Sequence, residues 1–510
     1  MTRGEAGHPG LAALPGARLW LRHVADDLEA GTSCLLLFPA TMPRPEPLLA
    51  DLLAGQPHWR TVPPPDAAHQ GPADRPGVDR PGVDQPGADR TGADRGAAEA
   101  PDERLAAAAE EPLWSGQLPV LDIDDDFVTG VMAAAFGTDS PAPAPFVPRA
   151  RTAPDRARGI EARLEGLLDS HPTGTLRDVY HRLTTGPHTD GCVYVVDATR
   201  EDDPEALAHL LLRLPAAAKE AGLPPHQRPR LLVAATPDHL PAAYPDRLGS
   251  EDIAVHWWWG ALSRIDTAAV ATVNRPRRSR SALTGRGRIE EAVALATVVE
   301  VCGPYLDHAA HLATHWDGRP DTLRQALAAA CATHPPATAA APTTHRTGGL
   351  SGRPPSSLRD PWNAGAVDSW DGHLRAHPAA VLAAGAERSL DKLVWLAQSR
   401  TLLPLIDDAR EALVTAVLPS ARLPADRLAV SYGPERRSQP VAAATTADTA
   451  ELLRGMELNM LARARRDGHV RLTLPQSARL AVLLDARNCL SHREPLRTEP
   501  LARLYEHLSS

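Results

Sequence analysis

Five short apolar stretches, which alternate with helix-like ones, constrain the fold of this chain more than any other feature. They span residues 33–38, 119–123, 192–197, 230–235 and 253–258. Helix-like stretches such as residues 203–221 separate some of them. Apolar strands that are joined through helices pack side by side as a mostly parallel sheet, and helices cover both of its faces. The N-terminal part is therefore predicted to be an α/β domain with a mostly parallel sheet.

The pattern changes to helix alone from about residue 387. Helices are predicted over residues 387–403, 405–418, 447–466, 475–488 and 499–508, with loops rich in proline and glycine between them. Consecutive helices that are joined by loops of this kind pack as a bundle. The C-terminal part is therefore predicted to be an all-α helical bundle.

Three segments of low complexity divide the chain, whose 510 residues are too many for one hydrophobic core. A degenerate Asp-Arg-Pro-Gly-Val repeat within residues 63–102 cannot bury a core and predicts a disordered insertion. Residues 137–158 form a shorter loop rich in proline and alanine, and residues 334–361 are rich in proline, threonine and glycine. The predicted organisation is an α/β domain at 1–333, a linker at 334–369 and a helical domain at 370–510.

Charge and cysteine content exclude several functions. A net charge of -9 argues against a general nucleic-acid coat, so any contact with RNA has to be local. Cys34, Cys192, Cys302, Cys331 and Cys489 lack the paired spacing of a disulfide framework or a zinc site. The N-terminus has no long apolar core, and no stretch is apolar enough to span a bilayer. A cytoplasmic protein without a membrane partner is expected.

The sheet does not carry the sequence of a nucleotide-hydrolysing domain. A phosphate-binding loop needs Gly-Lys followed by serine or threonine. Lys219 precedes Glu220, Lys392 precedes Leu393, and the loop after the first strand, residues 39–45, has neither glycine nor lysine. The sheet resembles STAND or AAA-type NTPase folds that have lost their nucleotide site, and residues 255–266 add a family-like signature. That resemblance implies an inactive domain without a cofactor, although an active NTPase with an unorthodox site is an alternative.

Six residues near the C-terminus, Arg487-Asn488-Cys489-Leu490-Ser491-His492, follow a predicted apolar helix. Arg487 and Asn488 fall in its last turn. The chain cannot remain helical up to Pro495, because the residue before a proline is pushed out of the α region, so His492 is predicted in the turn before the final helix. An arginine, a polar residue directly after it and a histidine four to six positions further on resemble the HEPN family. This resemblance covers about the last quarter of the chain.

The resemblance implies a metal-independent endoribonuclease, with His492 as general acid or base, Arg487 as phosphate clamp and Asn488 orienting one of them. Histidine exchanges protons near neutral pH, and the guanidinium fork stabilises charge on a phosphate. A cyclic phosphate product, no metal ion and a homodimer formed through the C-terminal domain are implied as well. The alternative is a helix end with a solvated arginine and histidine.

Together these features predict a two-part protein. An inactive NTPase-like module senses or scaffolds, and a HEPN-like module cuts RNA in an antiphage or toxin-like system under a regulatory protein partner. The rival hypothesis is a non-enzymatic adaptor in a larger defence or signalling complex.

Five smaller groups have a functional and a structural interpretation. The carboxylates within residues 122–126 could bind a cation, or they could simply form the solvated end of a strand. His308, His311 and His315 could bind a transition metal, or they could share a helix face without a ligand. The tryptophans at 257–259 stack on a partner or fill the core. The arginines within 275–288 guide RNA or form a surface loop. Some of Arg400, Arg410 and Arg454 could line the HEPN-like site.

Overall fold

The computed structural model describes residues 10–42, 45–65, 159–168, 177–185, 191–241, 244–248, 253–276, 285–333, 352–383, 386–432 and 453–509. All of them belong to one compact unit of the chain. The predicted strand at 119–123, the carboxylates at 122–126, the loop at 137–158 and all but the start of the predicted insertion at 63–102 lie outside these ranges.

A parallel sheet of five strands forms the N-terminal part. Its strands are β1 (Ser33–Leu37), β2 (Trp59–Thr61), β3 (Val193–Asp197), β4 (Arg230–Ala235) and β5 (Ile253–Trp257), in the spatial order β2-β3-β4-β1-β5. Every residue of β1 and β4 is buried, which explains their continuous apolar sequence. The sequence missed β2, because this short strand is exposed throughout. The mostly parallel sheet is confirmed.

Seven helices of the described residues accompany this sheet. They are α1 (Pro15–Glu29), α2 (Glu46–Ala54), α3 (Ile160–Leu168), α4 (Arg177–Thr185), α5 (Pro204–Glu220), α6 (Tyr244–Leu248) and α7 (Arg264–Asn274). The Asp203 side chain caps α5 by accepting from the Ala206 N–H at 2.9 Å. A capping box formed by Ser263 and Asp266 starts α7. Local sequence therefore sets where these two helices begin.

A second layer of helices follows, namely α8 (Gly285–Cys302), α9 (Leu306–His315) and α10 (Leu323–Thr333). These helices share one apolar cluster with the first turns of a long helix, α12 (Glu387–Val417). Val298, Leu312, Leu327 and Leu393 are among its buried members. Residues on both sides of the predicted linker thus contribute to the same core.

Residues 352–369, within the predicted linker, contain a short helix, α11 (Arg359–Asn363), and the first strand of a hairpin. Strands β6 (Val367–Trp370) and β7 (His373–Ala376) pair in antiparallel fashion. Asp371 and Gly372, both with positive φ (50° and 77°), form its two-residue turn. The Trp362 and Trp370 side chains are fully buried. Packing around these two side chains holds this stretch against the rest of the unit.

The remaining part is helical, as predicted. Besides α12 it contains α13 (Ala425–Tyr432), α14 (Leu458–Arg466), α15 (Leu474–Ser491) and α16 (Thr498–Leu508). The prediction of separate helices at 387–403 and 405–418 is wrong, since α12 runs through Pro404 without interruption. Leu402 and Ile406 are buried on either side of the exposed Pro404, so one apolar face continues past it. No helix among the described residues is long and apolar enough to cross a membrane.

Candidate active site

The helix that carries the HEPN-like motif, α15, is fixed at both ends by local sequence. Thr473 and Gln476 form a capping box at its start, and Pro475 lies in its first turn. At its end the Glu494 N–H donates to the Cys489 carbonyl (3.1 Å), and the Arg493 N–H donates to the Leu490 carbonyl (3.2 Å). These two bonds form a Schellman turn, which makes His492 the C-cap residue.

This Schellman turn contains a strained residue that sequence reasoning missed. Arg493 adopts a φ of 61°, in the left-handed region where such turns usually place glycine. No simple sequence pattern signals an arginine at this position. Its strained backbone nevertheless fixes the direction in which the chain leaves His492.

Asn488 and His492 lie away from the packed face of α15, and Arg487 lies at the edge of that face. Its buried residues are Leu480, Leu483, Ala486 and Leu490, and the helix packs against α12. The Trp395 indole on α12 donates to the Leu490 carbonyl at 2.6 Å. Core packing and this hydrogen bond therefore anchor α15, without help from the motif side chains.

Arg487 is directed toward α14. Its guanidinium Nη2 lies 2.8 Å from Glu457 Oε2, and both side chains are partly exposed, at 37% and 48%. An ion pair between two exposed side chains contributes little to stability, about 0–1 kcal/mol. The guanidinium can therefore exchange Glu457 for another anion, such as a phosphate, at small cost.

Asn488 and His492 form the exposed end of α15. The His492 N–H donates to the Asn488 carbonyl at 3.0 Å, and a separation of four residues places both on the same face of a helix. Arg487 lies five residues from His492, which corresponds to roughly 140° around the helix axis. The fold thus brings Asn488 and His492 together and directs Arg487 to a different side.

Two of the three arginines that were considered for this site lie close to it. Arg410 on α12 donates to the backbone carbonyls of Arg454 and of Met456 (3.1 Å), which fixes the turn before Glu457. A hydrogen bond to Asp407 is the main reason that the pKa of Arg410 is raised, and Glu457 adds to it. Arg400 instead donates to Glu300 at 2.5 Å. It therefore belongs to another cluster.

The loop after β1 is closed by the segment around α11. The Ala40 N–H donates to both the backbone carbonyl and the side-chain Oδ1 of Asn363, each at 3.0 Å. The Asn363 amide in turn donates to Asp238 at 2.7 Å. Gly365 packs so closely on Thr41 that an added Cβ would lie 2.6 Å from the Thr41 hydroxyl. The Ala40 amide is therefore already satisfied within the protein.

The carboxylate at the end of β3 has a local role. Asp197 accepts hydrogen bonds from the Thr199 N–H (3.0 Å) and hydroxyl (2.6 Å), and Arg200 lies 3.2 Å away. These contacts cap the turn that follows the strand. In NTPases a carboxylate at the end of such a strand holds Mg²⁺, whereas the Asp197 carboxylate is engaged by the turn that follows its own strand.

The other candidate groups have structural contacts. His308 is buried against the rings of Tyr305 and His377, while the rings of His311 and His315 lie 4.3 Å apart. In the described ranges no group of three or more histidine, cysteine or acidic side chains is arranged to hold a metal ion. The tryptophans at 257–259 are buried, which favours the core interpretation.

Two arginines of the basic run lie in ion pairs. Arg275 pairs with Glu291 at 2.8 Å, and Arg286 pairs with Glu290 at 2.7 Å and with Glu506 at 2.8 Å. Residues 277–284 lie outside the described ranges. These pairs favour a structural role for Arg275 and Arg286.

A charge cluster around the buried Glu300 was not predicted. Glu300 on α8 is 1% exposed and pairs with Arg264 at the start of α7, Arg375 on β7 (3.1 Å) and Arg400 on α12 (2.5 Å). The guanidiniums of Arg264 and Arg375 lie 4.5 and 4.8 Å from the Trp370 ring centroid. Burial is the main reason that the pKa of Arg375 is lowered. Since its members are far apart in sequence, no local pattern indicates this cluster.

Comparisons with family models, with curated proteins and with solved structures found no match to this chain. The case for a function therefore depends on the contacts described above.

Proposed function

We propose that this protein is a metal-independent endoribonuclease of the HEPN type, in which Arg487 binds the scissile phosphate and His492 transfers protons. Asn488, one helical turn before His492, orients the imidazole or the RNA. The observation that carries the proposal is that all three side chains reach solvent near the end of α15. Asn488 and His492 are exposed opposite its buried face, and Arg487 is partly exposed at the edge of that face. Packing does not require these residue types there, whereas phosphodiester cleavage does.

The proposed site is completed by a second copy of the chain. Within one chain Arg487 is directed toward Glu457, on a different side of α15 from His492. A two-fold axis near the end of α15 would place Arg487 of one protomer beside His492 of the other, because such an interface brings the same surface patches together. Arg487 would then release Glu457 and pair with a phosphate of the RNA instead.

The N-terminal sheet has a regulatory or scaffolding role in this proposal. Closure of the loop after β1 by Asn363 and the local role of Asp197 both support a domain that does not hydrolyse nucleotides. An all-parallel sheet is compatible with the proposed descent from a STAND or AAA-type fold. An effector of this kind, held inactive by a protein partner, fits an antiphage or toxin-like system.

Mixed dimers test the composite site. Arg487→Ala and His492→Ala chains with different tags are co-expressed, and dimers that contain one of each are isolated by tandem purification. Each mixed dimer has one complete site and one site that lacks both residues, so we expect about half of the wild-type RNA cleavage. Each variant alone should be at least about 100-fold less active than the wild type. Mixed dimers as inactive as the single variants would exclude the composite site.

A non-enzymatic adaptor is the second candidate, and the Arg487–Glu457 ion pair favours it. In that case the pair is a surface contact between α15 and α14, and the motif has no chemical role. The adaptor would be supported if the wild type and both variants cleaved RNA equally, or if none of the three cleaved it.

A further inference from the structure

A cavity of about 330 Å³ lies beside the carboxyl ends of β1 and β5. Its wall combines the first described residues, the loop after β1, the α8–α9 connection and the stretch that joins α11 to β6. Small-molecule sites in parallel sheets occur at this edge, and the volume is at the lower end of their usual range. The cavity is separate from the proposed site on α15.

The charge that the described residues bring to this cavity has one sign. Of these residues, Asp307 and Asp368 line it, and no arginine, lysine or histidine does. Asp368 Oδ1 accepts hydrogen bonds from the backbone N–H groups of Gly260 (3.1 Å) and Ser369 (2.7 Å). Burial and these two backbone donors account for the environment of the Asp368 carboxylate, and no counter-charge from a described side chain adds to them. A phosphate or a nucleotide is therefore disfavoured here, since it would meet two carboxylates and no cation.

Aromatic residues contribute to the same wall. Tyr305 and Trp258 line it, Trp362 lies fully buried behind it, and Leu14 and Met42 make part of it aliphatic. Aromatic faces beside a carboxylate are the arrangement that recognises organic ammonium ions, because the ring quadrupole and the negative charge both attract a cation. A ligand with an apolar body can also bury that body against the leucine and methionine.

We propose that this cavity binds a small organic cation, a protonated amine whose ammonium group pairs with Asp368 and whose apolar body lies against Trp258 and Tyr305. The carboxylate keeps its two backbone donors in the complex and gains a cationic partner, which no described side chain provides. This inference stands independently of the proposed ribonuclease activity.

Proton linkage gives the site a characteristic pH dependence. Burial raises the pKa of Asp368 to about 7. An ammonium ion binds the ionised carboxylate, so binding should release a proton near neutral pH and tighten as the pH rises through 7. Because the ionised fraction of Asp368 is about ten times lower at pH 6 than at pH 8, the dissociation constant should be about tenfold larger at pH 6.

Calorimetric titration of the full chain with phenethylammonium, 2-phenylethanol and phenylacetate tests this proposal. These probes share one apolar body and differ in charge. We expect saturable binding of the cation in the millimolar range or tighter, and binding at least about tenfold weaker for the alcohol and the anion. Asp368→Asn, which retains an acceptor for both backbone donors, should weaken binding of the cation by at least about tenfold and remove its pH dependence.

The matched control is Asp485→Asn, which changes an exposed carboxylate on α15 and should bind like the wild type. Circular dichroism establishes that both variants are folded. Absence of saturable binding by phenethylammonium, equal binding of the alcohol, or unchanged binding by Asp368→Asn would each overturn the proposal.

Discussion

At the scale of single residues, the backbone strain at Arg493 is the feature with the clearest energetic consequence. A left-handed conformation costs a residue with a side chain roughly 1–2 kcal/mol, whereas glycine adopts it without that cost. Part of the gain from a glycine is lost because it also makes the unfolded chain more flexible. The Schellman turn therefore forms despite the backbone preference of Arg493, which disfavours a positive φ.

Arg493→Gly should raise the free energy of unfolding by about 0.5–1 kcal/mol, as measured by urea denaturation. The control is Arg503→Gly, an exposed site within α16, where the same change should lower stability by about 1 kcal/mol. Destabilisation by Arg493→Gly would show that the turn depends on the arginine side chain rather than on its backbone.

Asp368 provides a prediction about pH. Its pKa is about 7 in the folded chain and near its ordinary value, 3.8, in the unfolded chain, mainly because burial disfavours the charged form. The folded state then binds more protons, so this group lowers stability progressively as the pH rises from about 4 to about 7. Above pH 7 the loss is complete.

Asp368→Asn removes this titration and keeps an acceptor for Gly260 and Ser369. Thermal unfolding should show the variant to be more stable than the wild type at pH 8, with a smaller difference at pH 5. An equal difference at both values would contradict the account of Asp368.

At the scale of secondary-structure elements, the Glu300 cluster connects four of them, namely α7, α8, β7 and α12. Glu300→Ala would leave the buried Arg375 guanidinium without its carboxylate partner, and breaking a buried pair costs about 3–5 kcal/mol. Glu290→Ala, on the same helix, removes only partly exposed contacts to Arg286 and should cost at most about 1 kcal/mol. Urea denaturation measures both losses of stability. Equal losses in the two variants would show that the burial of Glu300 does not determine its contribution.

The long helix α12 gives a second prediction at this scale. Pro404 removes a backbone donor to the Arg400 carbonyl, which water can satisfy because both residues lie on the exposed side. Pro404→Ala restores the bond and should stabilise the chain by about 1–3 kcal/mol. Unchanged or lower stability in urea denaturation would mean that the helix requires a kink at this point.

These elements also show how far the sequence predicts the fold. Strands β1, β3 and β4 are predictable because buried strands of a parallel sheet form continuous apolar runs. The edge strand β5 has an apolar sequence as well, although only its two end residues are buried. The β6–β7 hairpin was missed, although its Asp371-Gly372 turn is a recognised hairpin signal. The break at Pro404 was wrongly predicted, because tertiary burial on either side outweighed the local preference.

At the scale of the whole molecule, the candidate site was only partly predictable. The position of His492 in the turn before the last helix follows from Pro495 and is confirmed. The direction of Arg487 depends on Glu457, which lies on a separate helix, so no local spacing could predict that pair. The closure of the β1 loop by Asn363 likewise joins residues more than 300 positions apart.

The most direct test of the central claim is RNA cleavage by purified, dimeric protein in the presence of EDTA. Wild type, Arg487→Ala, His492→Ala and the control Arg503→Ala are incubated with total RNA, and products are examined on denaturing gels and for 2′,3′-cyclic phosphate ends. We expect the wild type and Arg503→Ala to produce cyclic phosphate fragments, and both motif variants to lose at least about 99% of that activity. Intact RNA with all four proteins, or equal cleavage by all four, would contradict the proposed ribonuclease.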